Sequence, residues 1–339
     1  MTAPLRAGII GLGVGEKHIT GYEADRRCQV VALCDADADK LKSVGERHPG
    51  RRLVSNPDEL LSDPSIDVVS IASYDGAHYA QVMSALAAGK HVFVEKPVCL
   101  FEHELADIRR ALVANPNLKL SSNLILRKSP RFVSLRQRVQ AGKLGTPYYA
   151  EADYNYGRLS KITDGWRGHA DYYSVVHGGA IHMLDLLFWV FGERPVAVTA
   201  FGNSVATRGT SFRFRDCVTS LLKFPSGLMA KVTANFGCVL PHHHNLTVYG
   251  TAATFVHDQL GARLYTSRDP ASAAHVVDDA YLGPAKGDML PSFVSAILDG
   301  SEPDVSAADV LDTMTVSLAI EKAAELEQTV RISMSRHLT

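Results

Sequence analysis

The sequence predicts two domains of different class: residues 1–122 as a doubly wound α/β layer on a parallel sheet, and residues 123–339 as an α+β domain on a large open, mostly antiparallel sheet. Three observations carry this. From Ala7 to Ser122, short β-branched runs alternate with helical patterns, as in a parallel sheet covered by helices on both faces. A glycine cluster, Gly8, Gly11, Gly13 and Gly15, runs from within the first apolar run to the start of the first helical stretch. After Asn123 the apolar residues switch to alternation, the period of half-buried antiparallel strands.

Ala7 to Ile10 is short and apolar and reads as the first buried strand, and the amphipathic stretch from near Val14 reads as the helix that follows. The glycines between them form a strand-to-helix turn, where backbone N–H groups and the positive helix terminus can face phosphate oxygens with no side chain in the way. Gly11, Leu12, Gly13 and Val14 are the candidate phosphate contacts. Val30 to Cys34 is a second buried strand, and Asp35 at its end stands where an acid binds ribose hydroxyls, about twenty residues past the glycines. Glu16 holds the third consensus position, with the glycine one residue early at Gly15. Together these features predict a Rossmann domain for NAD. Asp35 would repel a 2′-phosphate and Ala36 offers no cation, while Lys40 and Arg26 keep NADP as the lesser alternative.

Val68 to Ala72, His91 to Val94 and Leu118 to Leu120 continue the strand series, with Ala77 to Ala88 and His103 to Val113 as helices between them. In the second domain Pro130 to Ala141 reads as helix. Tyr148 to Tyr156, Val196 to Gly202, Cys217 to Phe224, Leu228 to Phe236 and Asn245 to Val248 read as strands, punctuated by Pro225-Ser226-Gly227 and Gly250. Gly179 to Phe191 is apolar and of helical length, with the pair Gly178-Gly179 as its capping environment. Pro291 to Leu298 and Ala307 to Glu327 are helical, the latter with Val310, Met314, Leu318 and Ile320 on or near one face. The domain boundary and a ligand cleft are expected together near residues 122 and 123, because such enzymes favour interdomain crevices and the carboxyl ends of strands.

At 339 residues the chain is long enough for two cores, and 46% hydrophobic with 21% charged residues is ordinary for a soluble enzyme. Thirty-five basic residues against thirty-six acidic ones, with a pI near 6.9, build in no attraction to nucleic acid or anionic membrane. Five cysteines without a C-x-x-C pair read as reduced residues of a cytoplasmic protein. The first strand begins almost at once, leaving no room for a leader, and no apolar run approaches membrane-spanning length.

Glu95-Lys96-Pro97 follows the buried strand His91 to Val94, so Lys96 emerges at the carboxyl edge of the sheet on the side of the glycine turn, within reach of a nicotinamide ring. In isolation a lysine at a strand end is a solvated surface charge. His182 and Asp185, three apart on a helix, share a face and can point into one site. Taken alone, a histidine on an apolar helix is more often a hydrogen-bonded core residue. Arg127, Tyr154, Tyr156, Trp166 and Arg167 offer the aromatic and multivalent polar partners a sugar requires. The run His242-His243-His244 is not read as a metal site, because adjacent residues on a strand point to opposite faces. No metal is expected, and the absence of a Gly-x-Ser-x-Gly elbow leaves a hydrolase triad unsupported.

The glycine turn, Asp35, the run Ala87-Ala88-Gly89-Lys90-His91-Val92-Phe93-Val94-Glu95-Lys96-Pro97 and His182-Met183-Leu184-Asp185 together resemble the Gfo/Idh/MocA family. Gly142-Lys143-Leu144-Gly145, Trp166-Arg167 and Phe293 to Gly300 extend the resemblance over nearly the whole chain. It implies an NAD(P)-dependent oxidoreductase that moves hydride between nicotinamide and a secondary alcohol or ketone of a sugar, cyclitol or derivative. It also implies cofactor contacts from Ala72, Ser73, His78, Glu95 and Lys96, with Tyr74 at the rim. Lys96 would serve as the acid/base, with His182 and Asp185 on the substrate's hydroxyls and a homodimer or homotetramer packed through the broad sheet. The sequence departs from the family where many members carry an aspartate four residues before the histidine: Gly178 stands there, beside His177. Without that carboxylate, burial and a positively charged nicotinamide are expected to make Lys96 less basic, with His177 a fallback relay. Two rivals share the cradle: a glycosidase that uses NAD for transient oxidation, and a non-catalytic NAD(H)-binding regulator.

Overall fold

The computed structural model describes residues 4–281 and 285–334, which fall into two compact units: 4–125 with 285–314, and 126–281 with 315–334. The first unit holds six parallel strands, β1 (Leu5–Ile10), β2 (Cys28–Cys34), β3 (Arg52–Val54), β4 (Val68–Ile71), β5 (His91–Val94) and β6 (Leu120–Ser122), ordered β3-β2-β1-β4-β5-β6. The order reverses between β1 and β4, and ligands of doubly wound sheets bind at the carboxyl ends of the strands beside such a switch point. Strands buried on both faces cannot alternate, which is why Val68-Val69-Ser70-Ile71 is wholly buried and nearly all apolar.

Three elements of this unit escaped the sequence analysis, one of them the short helix Asp58–Leu61. The helix Ala38–Arg47 is short in apolar residues, with only Leu41 and Val44 buried, and it is started by Asp37, whose carboxylate accepts from the N–H groups of Asp39 and Lys40. Strand β3 is three residues long and mostly exposed. The later helix Leu290–Asp299 joins the first unit and packs Phe293 on Phe93, ring centres 5.6 Å apart.

A buried polar network ties the ends of β5 and β6. Asn123 Nδ2 donates to Glu95 Oε1 at 2.7 Å and to the Lys286 carbonyl at 3.1 Å. His18, fully buried, lies with Nε2 3.4 Å from Glu95 Oε1 and Nδ1 2.7 Å from Ser70 Oγ. Burial pushes the Glu95 carboxyl up, but the contact with His18 and the positive charges of Lys286 and Lys96 outweigh it and hold it at about 2.

The second unit is a nine-stranded sheet: β7 (Pro147–Asn155), β8 (Ala197–Asn203), β9 (Cys217–Lys223), β10 (Met229–Asn235), β11 (His243–Gly250), β12 (Thr254–Asp258), β13 (Gly261–Tyr265), β14 (His275–Val276) and β15 (Val330–Arg331). The order is β14-β13-β12-β11-β7-β10-β9-β8-β15, antiparallel throughout except that β10 runs parallel to β7. Alternation sets the two faces. Val218, Ser220 and Leu222 of β9 are buried against the helices, while Thr219, Leu221 and Lys223 face outward. The outward face carries Phe201, Leu221 and Met229, 59%, 48% and 46% exposed, with Tyr149 stacked on Tyr249.

Helical structure in the second unit begins earlier than expected. The glycine pair does not cap a helix from outside: Val176–Ala180 forms a wide π-type turn that runs directly into the α-helix Ile181–Phe191. Close packing explains this, since Gly179 lies under Tyr154 and Phe236, where a β-carbon would sit 2.5 and 2.7 Å from the rings. Strand β11 likewise starts at His243 rather than Asn245, because His243 and His244 pair with Asn155 and Tyr154 of β7.

Glu95 titrates lower in the folded chain than its ordinary value of 4.5, so its stabilisation is full above that pH and is lost as pH falls towards about 2. Glu95→Gln is therefore expected to unfold at lower urea than the wild type near pH ~7, with the difference shrinking near pH ~3. Urea titrations at the two pH values measure it.

Candidate active site

The glycine turn is shaped by close approach. Gly11 has φ +85°, and a β-carbon on it would sit 2.4 Å from the Ala72 carbonyl oxygen; one on Gly15 would sit 2.2 Å from the Gly11 oxygen. Gly13 has nothing within 4 Å. Two glycines thus let the turn close on β4 and on itself, and the third keeps its outer side clear for a group as bulky as a pyrophosphate. The helix Glu16–Glu23 starts immediately afterwards, placing its positive terminus at the same spot.

Asp35 is fixed by this turn: Oδ2 accepts from the Leu12 N–H at 2.7 Å and Oδ1 from the Asp37 N–H at 2.9 Å. Lys40 Nζ lies 3.7 Å from Asp35 and 4.0 Å from Asp37, so the cation that could draw a 2′-phosphate is held between two carboxylates. These residues, with Gly11, Gly13, Tyr74 and Gln81, line a cleft of about 430 Å³. An open glycine, a helix terminus and an oriented acid match the pyrophosphate and ribose of NAD. Val14 is exposed at the turn and the Leu12 side chain is buried beneath it.

Ala72 and Ser73 flank the same cleft, and Ser73 Oγ donates to Gln81 Oε1 at 2.8 Å. His78 is fully buried, with Nδ1 2.6 Å from the Pro97 carbonyl and Nε2 3.1 Å from the Ser73 carbonyl. Both nitrogens face backbone carbonyls, and the one that carries the proton donates, so His78 sits between the Ser73 loop and the Lys96-Pro97 segment. Lys96 is half-buried just past β5. Glu95 turns its carboxylate into the core network rather than outward, yet it feels the charge of Lys96.

In the second unit His182, 5% exposed, stacks on Tyr154 with ring centres 6.1 Å apart. Asp185 is fully buried and grips Arg127 in a two-point ion pair, Nε to Oδ2 at 2.9 Å and Nη2 to Oδ1 at 2.5 Å. Asp185 was expected on the substrate's hydroxyls and Arg127 along the pocket; the two are bonded to each other, and the pair braces the helix that carries His182. Arg167 lies over the Trp166 ring at 4.6 Å and donates from Nε to Tyr173 Oη at 3.0 Å. Tyr156 stacks on Tyr154 at 6.1 Å and packs tilted against Phe236 at 4.5 Å. His177, the fallback relay, is buried with Nδ1 2.7 Å from Ser317 Oγ, a packing position.

The histidine run was expected to separate to opposite faces, but its rings converge on shared neighbours: His243 lies 5.2 Å from Tyr281, the ring that His244 also meets. His242 and His244 face Tyr154, each 5.1 Å from its ring centre, and His244 Nδ1 meets Tyr281 Oη at 2.5 Å. His243 packs 4.8 Å from His257. Among the described residues no group of three or more His, Cys, Asp or Glu side chains is arranged to hold a metal ion. Sequence reasoning missed Tyr173, His244 and Tyr281 as neighbours of the candidate residues. Their only signal was aromatic character, which in one dimension does not separate core from site.

A six-stranded parallel sheet with a glycine turn, a free space over Gly13 and an acid fixed at the end of β2 marks a dinucleotide-binding domain. The family models agree. Residues 5–120 match the oxidoreductase family with an NAD-binding Rossmann fold and residues 132–256 match the Gfo/Idh/MocA C-terminal domain, so the chain belongs to the Gfo/Idh/MocA family and binds NAD. A myo-inositol 2-dehydrogenase of Thermotoga maritima is 25% identical over 97% of this chain and 98% of its own length. Among solved structures, levoglucosan dehydrogenase in complex with NADH and levoglucosan has a TM-score of 0.84 at 20% identity over 97% of this chain and 99% of its own. The scyllo-inositol dehydrogenase from Lactobacillus casei with NAD(H) and scyllo-inositol reaches 0.79 at 21% identity, with the same coverage. At such identities the structural matches establish the fold.

Gly13→Ala is expected to leave thermal stability unchanged, because its methyl meets open space, yet to weaken NADH binding by about tenfold or more. Fluorescence titration with NADH beside a melting curve measures both. Asp185→Asn strands a buried guanidinium and should cost about 3–5 kcal/mol of stability. Chemical denaturation checks that figure, and the apolar double replacement Arg127→Leu/Asp185→Leu should cost less.

Proposed function

We propose that this protein moves hydride between NAD(H) and a secondary alcohol or ketone of a sugar, cyclitol or related polyol, with Lys96 accepting the hydroxyl proton in oxidation and donating it in reduction. The observation that carries the reading is the placement of Lys96. It leaves the carboxyl end of β5 in the sheet whose glycine turn forms the NAD cradle, and it is half-buried beside the ionised Glu95. The named activities of the relatives, on myo-inositol, scyllo-inositol and levoglucosan, supply the substrate class.

When bound, the nicotinamide supplies the hydride acceptor or donor. The chain supplies proton handling and orientation. The proton passes between the Lys96 amine and the substrate hydroxyl, and a cationic ring arriving beside the amine favours its neutral form. His182, Tyr154, Trp166 and Arg167 hold the polyol: aromatic faces receive its C–H surface, and imidazole and guanidinium groups take its hydroxyls. Asp185 and Arg127 fix the helix beneath them. NAD is preferred to NADP because Lys40 is matched by Asp35 and Asp37. The apolar outward face of the nine-stranded sheet, with Phe201, Leu221 and Met229, is suited to packing on a second copy in a homodimer or homotetramer.

Lys96→Met should lower kcat by about a hundredfold or more while NADH still binds, since positioned acid–base catalysis is typically worth that much. Retention of more than about a tenth of the rate defeats the role assigned to Lys96. A panel of polyols and keto sugars read by NADH absorbance, with product analysis alongside, separates a dehydrogenase from a glycosidase that regenerates its NAD.

A further inference from the structure

The cleft beside the glycine turn contains a polar side chain that neither the turn nor the charges around it use. Gln81 stands on the helix Asp75–Ala87, partly exposed, and lines the same cleft as Gly11, Gly13 and Asp35. Its carboxamide is held in place, since Ser73 Oγ donates to Gln81 Oε1 at 2.8 Å. A carbonyl oxygen has two lone pairs and an amide nitrogen two protons, so among the described residues one acceptor position and both donors of Gln81 remain open. The charged side chains of the cleft are committed to one another. Asp35 is oriented by two backbone N–H groups, Asp37 caps the helix Ala38–Arg47, and Lys40 lies between their carboxylates.

We infer that Gln81, set by Ser73, reads the adenine base of the dinucleotide. This rests on the assignment of Gly13 and Asp35 to its pyrophosphate and ribose. The covalent structure of the ligand then carries the placement. The base is bonded to the ribose carbon next to the one that bears the 2′-hydroxyl, so a ribose held by Asp35 leaves the base in the remainder of the same cleft. Ala36 and Pro57 line that cleft as well, and their apolar surfaces suit the faces of a flat ring. Gln81 meets its edge.

The chemistry of that edge matches a carboxamide. Adenine presents an amino donor at N6 beside a ring acceptor at N7, and a glutamine answers the pair with two hydrogen bonds, accepting at Oε1 and donating from Nε2. The bond from Ser73 holds the amide plane and leaves the second lone pair of Oε1 for the amino group. In the hypoxanthine analogue of the cofactor a carbonyl replaces that amino group. Two carbonyl oxygens would then face each other, and repulsion takes the place of a hydrogen bond. A site built to hydrogen-bond a ligand group rejects the analogue that lacks it, because its own polar atom is left unpaired.

The test is the binding of NADH and of its hypoxanthine analogue, deamino-NADH, by fluorescence titration of the full-length wild type, Gln81→Leu and Ser73→Ala, with a melting curve for each. The wild type should bind NADH about fivefold or more tightly than the analogue, the discrimination a bidentate base contact supplies. Gln81→Leu should abolish that preference, chiefly by weakening NADH, and Ser73→Ala should reduce it by releasing the amide. Should Gln81→Leu not fold, Gln81→Ala, which adds no bulk, decides. A wild type that binds the two dinucleotides alike, or a preference that survives in every folded Gln81 variant, overturns the inference and leaves the NAD site standing. A wild type that binds neither defeats the assignment of the cleft and this inference with it.

Discussion

An ionised carboxylate kept inside the first unit is the constraint around which its working edge is arranged. Glu95 sits at the end of β5 with its oxygens turned inward, and the groups that hold it charged come from four separate stretches of chain: His18, Lys96, Asn123 and Lys286. A buried charge is tolerated only when paired and hydrogen-bonded. Meeting that requirement draws together the first helix, the ends of two strands and a segment from late in the sequence, and it fixes the backbone from which Lys96 departs. His78 sits on the other side, between the Ser73 loop and Pro97, with each ring nitrogen facing a backbone carbonyl.

The cofactor cradle is held by a comparable economy of contacts. Asp35, which we propose reads the ribose, is oriented by the N–H of Leu12, inside the glycine turn. One hydrogen bond therefore couples the two recognition elements, so the geometry of the glycine turn and the direction of the acid cannot vary independently. Lys40 is drawn into the same arrangement by Asp35 and Asp37, which makes the electrostatics of the cleft those of an NAD site.

The second unit solves a different problem, that of holding polar side chains near a helix almost wholly apolar. It does so with a buried ion pair below His182, an aromatic layer of Tyr154, Tyr156 and Phe236 beside it, and a phenol brought in against Gly178. The wide turn at Val176–Ala180 belongs to this solution. Two glycines let rings approach the helix axis, so bulk and polarity arrive from neighbouring segments rather than from the helix itself. Turns of this kind recur at functional sites for the same reason.

Periodicity along the chain was enough to specify the parallel sheet, the switch to antiparallel strands, the glycine turn with Asp35, and Lys96 at a strand end, because each is a local pattern that backbone geometry converts directly into position. Short or weakly apolar elements such as β3 and the helix Ala38–Arg47 left too faint a pattern to read. Partnership was not legible either. That Asp185 is matched by Arg127, that Glu95 is held by His18 and Asn123, and that Tyr173 fills the place of a side chain at Gly178 depend on residues far apart in sequence. Only the folded chain sets those distances, and charge, burial and hydrogen bonding act through distance.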